Sequence, residues 1–187
     1  MVESHGPVEL RRYERCVVAD VVVTGSLEGA GNAAFRPLIS YISGANRPVG
    51  AEARRPEPTG ERLSMTAPVL QQERGDAAAG EWVVSFVLPG SRPVGEYPEP
   101  TDPRVRLREV PAFSAAAIRW SGRWSGANVT ARTAELRAEL ERRGWEAAGA
   151  PLWARFDPPW KPAFLRRNEI VIPVAVPSSA GNQPTEP

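Results

Sequence analysis

The chain has 187 residues, of which 42% are hydrophobic and 24% are charged, so it is long enough for one well-buried core and short for two. The 23 Lys and Arg residues against 22 Asp and Glu leave a net charge of +1 without a long basic run, which excludes the electrostatic pattern typical of a nucleic-acid-binding protein. A single cysteine and a single histidine exclude an intramolecular disulfide and a zinc site made of Cys and His alone.

The first half of the chain begins with a strand and a helix. Residues Val8–Thr24 alternate and then become continuously apolar, which predicts one long strand, with room for a bend, that ends at Gly25. From Asn32 the apolar residues take helical spacing and predict a helix that ends near Gly44. Pro37 lies inside this helix and lacks a backbone donor, so we expect its first turn to be irregular or late. The apolar stripe consists of Phe35, Leu38, Ile39 and Ile42.

A loop, a hairpin and a connector follow. Residues 48–60 hold three prolines and two glycines, which is typical of an exposed loop. Two strand-like runs, Arg62–Gln72 and Glu81–Leu88, are separated by the small, polar residues 73–80 and predict a hairpin. Residues 89–103 carry five prolines and no periodicity, so we expect a connector.

The second half repeats this order. Val105–Trp120 is strand-like, and from Asn128 a second helical stripe runs to Gly144, which stands where a C-terminal cap belongs. Leu152–Phe156 and Glu169–Val176 are two further candidate strands. The second stripe consists of Val129, Thr133, Leu136 and Leu140.

The two halves match closely enough to predict a duplication. Gly25 corresponds to Gly122 and Asn32 to Asn128, nearly in register. We therefore expect an α+β fold built from two strand-helix-strand-strand units, about residues 8–88 and 104–176, within one domain covering residues 1–177. The polar, proline-containing residues 178–187 predict a disordered tail.

Two segments carry a resemblance to a known family. They are residues 62–69, RLSMTAPV, and residues 156–169, FDPPWKPAFLRRNE. Together they resemble the SOUL haem-binding protein family, and the resemblance extends over about Val8–Val176. Four shorter matches in the right order support it: residues 9–13, 44–47, 102–105 and 113–124.

The resemblance implies both a fold and a ligand. The fold is a distorted antiparallel, barrel-like sheet flanked by two helices with internal pseudo-twofold symmetry, similar to effector-binding domains. The ligand is haem or a related tetrapyrrole, held in a hydrophobic groove beside the first helix for transport, buffering or delivery. The proline-rich residues 48–60 and Pro37 depart from the family pattern and bear on the shape of that groove.

Candidate ligand contacts follow from what haem needs, namely an apolar slot and cations for its propionates. The helix residues Phe35, Leu38, Ile39 and Ile42 are candidates for the slot, although an ordinary core explains them as well. Aromatic residues in a proline-rich loop more often cover something, which favours Trp160, Phe164 and Leu165. Met65 is a soft apolar contact, with plain packing as the alternative. The candidate propionate partners are Arg47 and either Arg166 or Arg167, with neutralisation of nearby carboxylates as the alternative.

Axial ligation of the haem iron has weaker candidates. His5 lies in a terminal stretch beside a Gly-Pro pair, and Cys16 lies in a strand, where cysteine is usually a small buried hydrophobe. We therefore expect no protein metal site, and a pocket that holds haem mainly through apolar contacts.

Two other functions remain open. An effector-binding module for cationic or aromatic small molecules would use Glu169 as its pocket charge, unless that carboxylate is paired with arginine. A hydrolase on the same scaffold would need a pocket carboxylate or Tyr13, but no nucleophile elbow, catalytic triad or phosphate loop is present. We do not expect an enzyme.

The remaining expectations concern setting and partners. No stretch approaches the roughly 18 apolar residues of a membrane-spanning helix, and the N-terminus lacks the pattern of a secretory signal. We expect a cytoplasmic monomer that binds a small hydrophobic ligand and no nucleic acid. Heavy use of Ala, Gly and Pro, with arginine at every basic position except Lys161, suggests a bacterial source.

Overall fold

The computed structural model describes residues 2–5, 7–50, 60–66, 68–75, 80–158 and 160–175, with side chains from residue 7 onward. The predicted tail and most of the predicted 48–60 loop lie outside these residues. The helices are α1 (Leu27–Ile42) and α2 (Gly126–Arg143). The strands are β1 (Val2–His5), β2 (Val8–Tyr13), β3 (Cys16–Thr24), β4 (Asn46–Arg47), β5 (Val69–Glu73), β6 (Glu81–Val87), β7 (Glu99–Pro100), β8 (Arg106–Val110), β9 (Phe113–Ser121), β10 (Glu146–Ala147), β11 (Leu152–Arg155) and β12 (Arg167–Ala175).

Both helices begin at a serine cap. Ser26 accepts a hydrogen bond from the Gly29 N–H at 3.1 Å, and Ser125 accepts one from the Asn128 N–H at 3.4 Å, which satisfies donors that the first helical turn leaves unpaired. The predicted start of α1 at Asn32 is therefore wrong, because the cap lies further upstream. The helix also continues through Pro37. At the other end of α2, Gly144 has a φ of 64° and confirms the predicted cap.

The main sheet is antiparallel and strongly curled. Its two halves meet where β11 pairs with β5. One half consists of β9, β11 and β12 from the second repeat with β2 from the first, and the other consists of β3, β5 and β6 from the first repeat with β8 from the second. In this exchange β2 pairs with β9, and β8 pairs with β3. When each strand is matched with its equivalent in the other repeat, the strand order from β2 to β8 is the same from either end. The full order is β1-β2-β9-β12-β11-β5-β6-β3-β8, with β10 on β12, while β4 and β7 form a separate pair.

The observed strand boundaries differ from the predicted ones. Val8–Thr24 forms two strands, β2 and β3, which lie in different halves of the sheet. Val105–Trp120 likewise divides at Pro111, which has no N–H to donate to a ladder. The strand predicted over Arg62–Gln72 begins only at Val69. The hairpin of β5 and β6 is confirmed.

Both helices pack on one face of the sheet. The main core lies between them and this face, with Leu38, Leu136 and Ile170 fully buried there. The opposite face, here called the helix-free face, carries a smaller cluster around Ala115, Ala117 and Val171. The predicted α+β class, with two helices on a curled antiparallel sheet, is confirmed. No helix among the described residues is long and apolar enough to cross a membrane.

The pseudo-symmetry extends to single hydrogen bonds. Gly25 and Gly122, which end β3 and β9, have φ values of 137° and 139°, a conformation that favours glycine. Each carbonyl accepts a bond from an equivalent strand: Trp82 Nε1 donates to Gly25 at 2.9 Å, and Asn168 Nδ2 donates to Gly122 at 3.1 Å. The two strand-to-helix corners are therefore fixed in the same way.

Candidate ligand-binding site

The predicted helix stripe divides between core and surface. Leu38 and Ile42 are buried in the main core, and Ile39 packs against it, so Leu38 and Ile42 offer no surface to a ligand. Phe35 is 42% exposed. Its ring meets Phe86 of β6 edge to face, with centroids 5.8 Å apart. Only Phe35 therefore presents a large apolar surface outward from this stripe.

Strand register brings two distant segments to the same end of the sheet. Val69, the first residue of β5, pairs with Arg155, the last residue of β11. The residues before Val69 and those after Arg155 therefore leave the sheet side by side. Val69 also pairs with Phe86, which lies under Phe35. Thr66 donates a hydrogen bond to the Val87 carbonyl at the end of β6, so its neighbour Met65 is held at this same end.

Large apolar side chains are exposed where these segments meet. Phe35 and Met65 contribute from α1 and the segment before β5, and the loop between β11 and β12 contributes the rest. Exposed apolar surface of this kind often marks a binding site. We call this group the aromatic edge; it consists of Phe35 (42% exposed), Met65 (53%), Trp160 (84%), Phe164 (73%) and Leu165 (53%).

The loop that carries the last three of these residues is ordered by its own contacts. Lys161 Nζ lies 2.7 Å from Asp157, and the other carboxylate oxygen of Asp157 accepts the Arg167 N–H at 2.6 Å. These two bonds hold the pKa of Asp157 below its usual range. Arg166 Nε donates to the Lys161 carbonyl at 2.7 Å, and residues Ala163–Leu165 form one turn of 3₁₀ helix. The apolar side chains therefore project from a preformed loop.

The structure describes some of the side chains that were considered as ligands for a haem iron. No group of three or more His, Cys, Asp or Glu side chains that could hold a metal occurs in the described part of the chain. Met65 lies at the aromatic edge, but Cys16 is half-buried at the start of β3, where burial raises the pKa of its thiol. The side chain of His5 lies outside the described residues.

Arg47, predicted as a propionate partner, lies in a separate groove. This groove has a volume of about 400 Å³ and contains no residue of the aromatic edge. Its walls combine the charged Arg47 and Glu99 with apolar residues such as Val49 and Leu107. The structure therefore does not bring Arg47 together with the other predicted contacts, and the groove is a second location that could bind a ligand.

Glu169 also lies away from the aromatic edge, on the helix-free face. Its side chain is only 3% exposed, and its two oxygens lie 2.6 Å from Arg11 Nη1 and 2.9 Å from Arg119 Nε. Arg11 further contacts Glu9 at 2.7 Å and Tyr13 at 3.3 Å. Glu169 is therefore an arginine-paired carboxylate, and its negative charge is compensated within the protein.

Burial and hydrogen bonds shift the pKa values of two side chains in this cluster. It raises the pKa of the Tyr13 hydroxyl, against the opposing effect of Arg11. Burial alone would lower the pKa of Arg11, but hydrogen bonds to Glu169, Tyr13 and Glu9 raise it overall. Sequence reasoning missed Arg11 and Arg119. The alternation of Glu9, Arg11 and Tyr13 along β2 was the signal that these side chains share one face.

Several solved structures resemble the chain in fold. Among solved structures, the C-terminal domain of EcmrR is 14% identical with a TM-score of 0.66, over 90% of this chain and 96% of that one. A hydrolase from Listeria innocua is 16% identical with a TM-score of 0.53, over 89% and 91%. SAV2435, solved bound to tetraphenylphosphonium, is 10% identical with a TM-score of 0.50, over 90% and 93%.

At these identities the similar structures show the fold and nothing more. No curated protein matches the chain. A family model described as SOUL heme-binding protein, however, matches residues 1–173. The chain therefore belongs to the SOUL haem-binding protein family.

Proposed function

We propose that this protein binds haem or a related tetrapyrrole at the aromatic edge, for transport, buffering or delivery of that ligand. The observation that carries the proposal is the exposure of five large apolar side chains, four of them on the segments that leave the sheet where β5 and β11 pair. Leaving such surface in water is unfavourable unless a partner covers it. Membership of a haem-binding family supports a small-molecule ligand.

The charges beside the aromatic edge suit an anionic ligand. Arg166 and Arg167 follow directly after the exposed Phe164 and Leu165, and guanidinium groups pair well with carboxylates. A bound tetrapyrrole would supply a flat apolar ring and two carboxylates. The ring would lie against Phe35, Met65 and Phe164, and the arginines would neutralise its propionates.

An effector-binding role for cationic aromatic molecules has less support. That role was suggested by the idea of Glu169 as an open pocket charge, and SAV2435 is a fold relative solved with such a cation. In this chain Glu169 is buried and compensated by Arg11 and Arg119. A cationic ligand there would meet two arginines as well as one carboxylate, so an anionic ligand is favoured electrostatically.

A haem titration followed by absorbance tests the proposal. We expect a saturable one-to-one Soret band with the wild-type protein. Phe164→Ala and Met65→Ala should each weaken binding about tenfold, because each removes apolar surface from the contact. Val49→Ala is the matched control, since Val49 is 56% exposed but lines the Arg47 groove.

Two results would contradict the proposal in different ways. A spectrum that never differs from haem in buffer would remove haem as the ligand. Weaker binding in Val49→Ala together with unchanged binding in Phe164→Ala would move the site to the Arg47 groove.

A further inference from the structure

The starts of the two helices meet on the helix-bearing face of the sheet. Glu28, in the first turn of α1, accepts a hydrogen bond at 2.6 Å from the N–H of Gly126, the first residue of α2. The positive ends of both helix dipoles therefore lie close together. Glu28 is the carboxylate that the structure places between them.

Arg155 is half-buried beside this junction and has no acidic partner among the described residues. Its Nη2 atom lies 1.3 Å from the position that a Cβ on Gly31 of α1 would take, so the guanidinium fills the space left by that glycine. Its Cζ atom lies 5.3 Å from the centre of the Trp124 ring. Among the described residues, no side chain makes a hydrogen bond or ion pair with this guanidinium. Burial lowers its pKa accordingly.

Two further donors at the same place also lack partners. The Trp120 and Trp124 rings stack with centroids 6.1 Å apart. Both Nε1 atoms are buried and have no hydrogen-bond partner. Trp120 and Arg155 lie in one row across neighbouring strands, because both pair with Asn168 of β12. A half-buried cation and two buried N–H groups therefore lack an acceptor, and leaving the two N–H groups unpaired is costly unless an acceptor binds.

We propose that Arg155 and the indole N–H groups of Trp120 and Trp124 form a binding site for a small oxyanion, a carboxylate or a phosphate. This site goes beyond the proposed tetrapyrrole function, because the unpaired donors define it without reference to haem. A carboxylate of the ligand at the aromatic edge and a free phosphate share the required chemistry. The first source is geometrically reasonable, since β11 ends at Arg155 at the same end of the sheet.

Thermal unfolding with inorganic phosphate, compared with chloride at equal ionic strength, tests the site. The wild-type melting temperature should rise saturably, by about 3–6 °C at ten times the dissociation constant. Arg155→Met should lose this rise. Its melting temperature in chloride should be close to or above that of the wild type, because a half-buried cation without an ion-pair partner is replaced by an apolar side chain.

Two more variants sharpen the test. Trp124→Phe keeps an aromatic ring and removes one donor, so the phosphate response should weaken. Arg132→Gln is the control, because Arg132 is exposed on α2 and paired with Glu135 at 2.6 Å; its response should stay unchanged. A wild-type protein without a phosphate-specific rise, or a rise that survives in Arg155→Met, overturns the proposal. If Arg155→Met does not fold, an undiminished response in Trp124→Phe overturns it instead.

A competition experiment then separates the two sources. Once the phosphate response is established, haem binding and haem dimethyl ester binding are each measured with and without phosphate. If phosphate weakens the binding of haem but not that of the ester, the site binds a carboxylate of the ligand. Phosphate that affects neither assigns it to a free oxyanion. If haem does not bind at all but the phosphate response is intact, the proposed tetrapyrrole function is contradicted and the oxyanion site is supported.

Discussion

Glu169 is a buried carboxylate whose contribution to stability depends mainly on one largely buried arginine, Arg11. Its carboxylate lies between Arg11, whose side chain is 16% exposed, and Arg119, which is 53% exposed. Replacing it removes one charge and leaves Arg11 without its main partner. Because breaking a buried pair strands the remaining charge, the loss is larger than the net value of the pair.

Glu169→Gln should therefore lower the free energy of unfolding by about 3 kcal/mol. Urea unfolding followed by circular dichroism measures this loss. Glu109→Gln is the matched control, because Glu109 forms an exposed pair with Arg15 at 2.8 Å, and its loss should stay under about 1 kcal/mol. Equal small losses in both variants would mean that the Glu169 cluster is not buried as described.

Tyr41 gives the protein an alkaline pH dependence. Burial raises the pKa of its hydroxyl above the ordinary value of 10.0, and the hydroxyl donates to the Pro98 carbonyl at 3.0 Å. With a folded pKa above the unfolded one, the contribution is fully present below pH 10 and is lost as pH rises through the folded pKa.

We therefore expect the stability difference between the wild type and Tyr41→Phe to narrow as pH rises above about 10. At neutral pH the variant should be less stable by about 1 kcal/mol, the value of one hydrogen bond. Melting temperatures of both proteins across this range measure the difference. A constant gap from neutral to alkaline pH would contradict the assignment.

At the scale of elements, the segment before β5 depends on one close backbone approach. A Cβ on Gly60 would lie 1.9 Å from the Gly44 carbonyl oxygen and 2.9 Å from that of Asn46. Asn46 also donates to the Glu61 carbonyl and accepts from the Glu61 N–H, at 2.8 and 2.9 Å. These contacts tie the segment to the end of α1 and lead the chain towards Met65.

Gly60→Ala should therefore lower the free energy of unfolding by about 1–3 kcal/mol, because backbone atoms must move to admit the methyl group. Chemical denaturation measures the loss. Gly75→Ala serves as the control, since a Cβ there meets nothing within 4 Å. Similar stabilities for the two variants would show that Gly60 does not pack closely against Gly44.

The elements also show where sequence patterns succeed and fail. The hairpin of β5 and β6 and the Gly144 cap could be predicted because turn and cap residues act locally. The start of α1 was missed because Gly29 and Gly31, which are poor helix formers, follow its Ser26 cap. One of those glycines makes room for Arg155, a contact that no local pattern shows.

For the whole molecule, the repeat in the sequence was enough to predict the fold class. The exchange of β2 and β8 between the halves was not predictable, since it depends on pairing between distant segments. The site was recovered in part. The helical spacing of Leu38 and Ile42 is equally compatible with a core and with a ligand slot, so the sequence could not distinguish them. The aromatic residues of the proline-rich loop were predicted to lie outside the core, and they are exposed.

The most direct test of the central claim locates the bound ligand. Met65 is one of two methionines in the chain, so methionine methyl groups labelled with carbon-13 give a simple NMR spectrum, and Met65→Leu assigns the Met65 signal. Ferric haem is paramagnetic and broadens nearby signals. If haem binds at the aromatic edge, the Met65 signal should broaden or vanish in proportion to the bound fraction. A sharp, unshifted Met65 signal in the fully haem-bound protein would contradict the account.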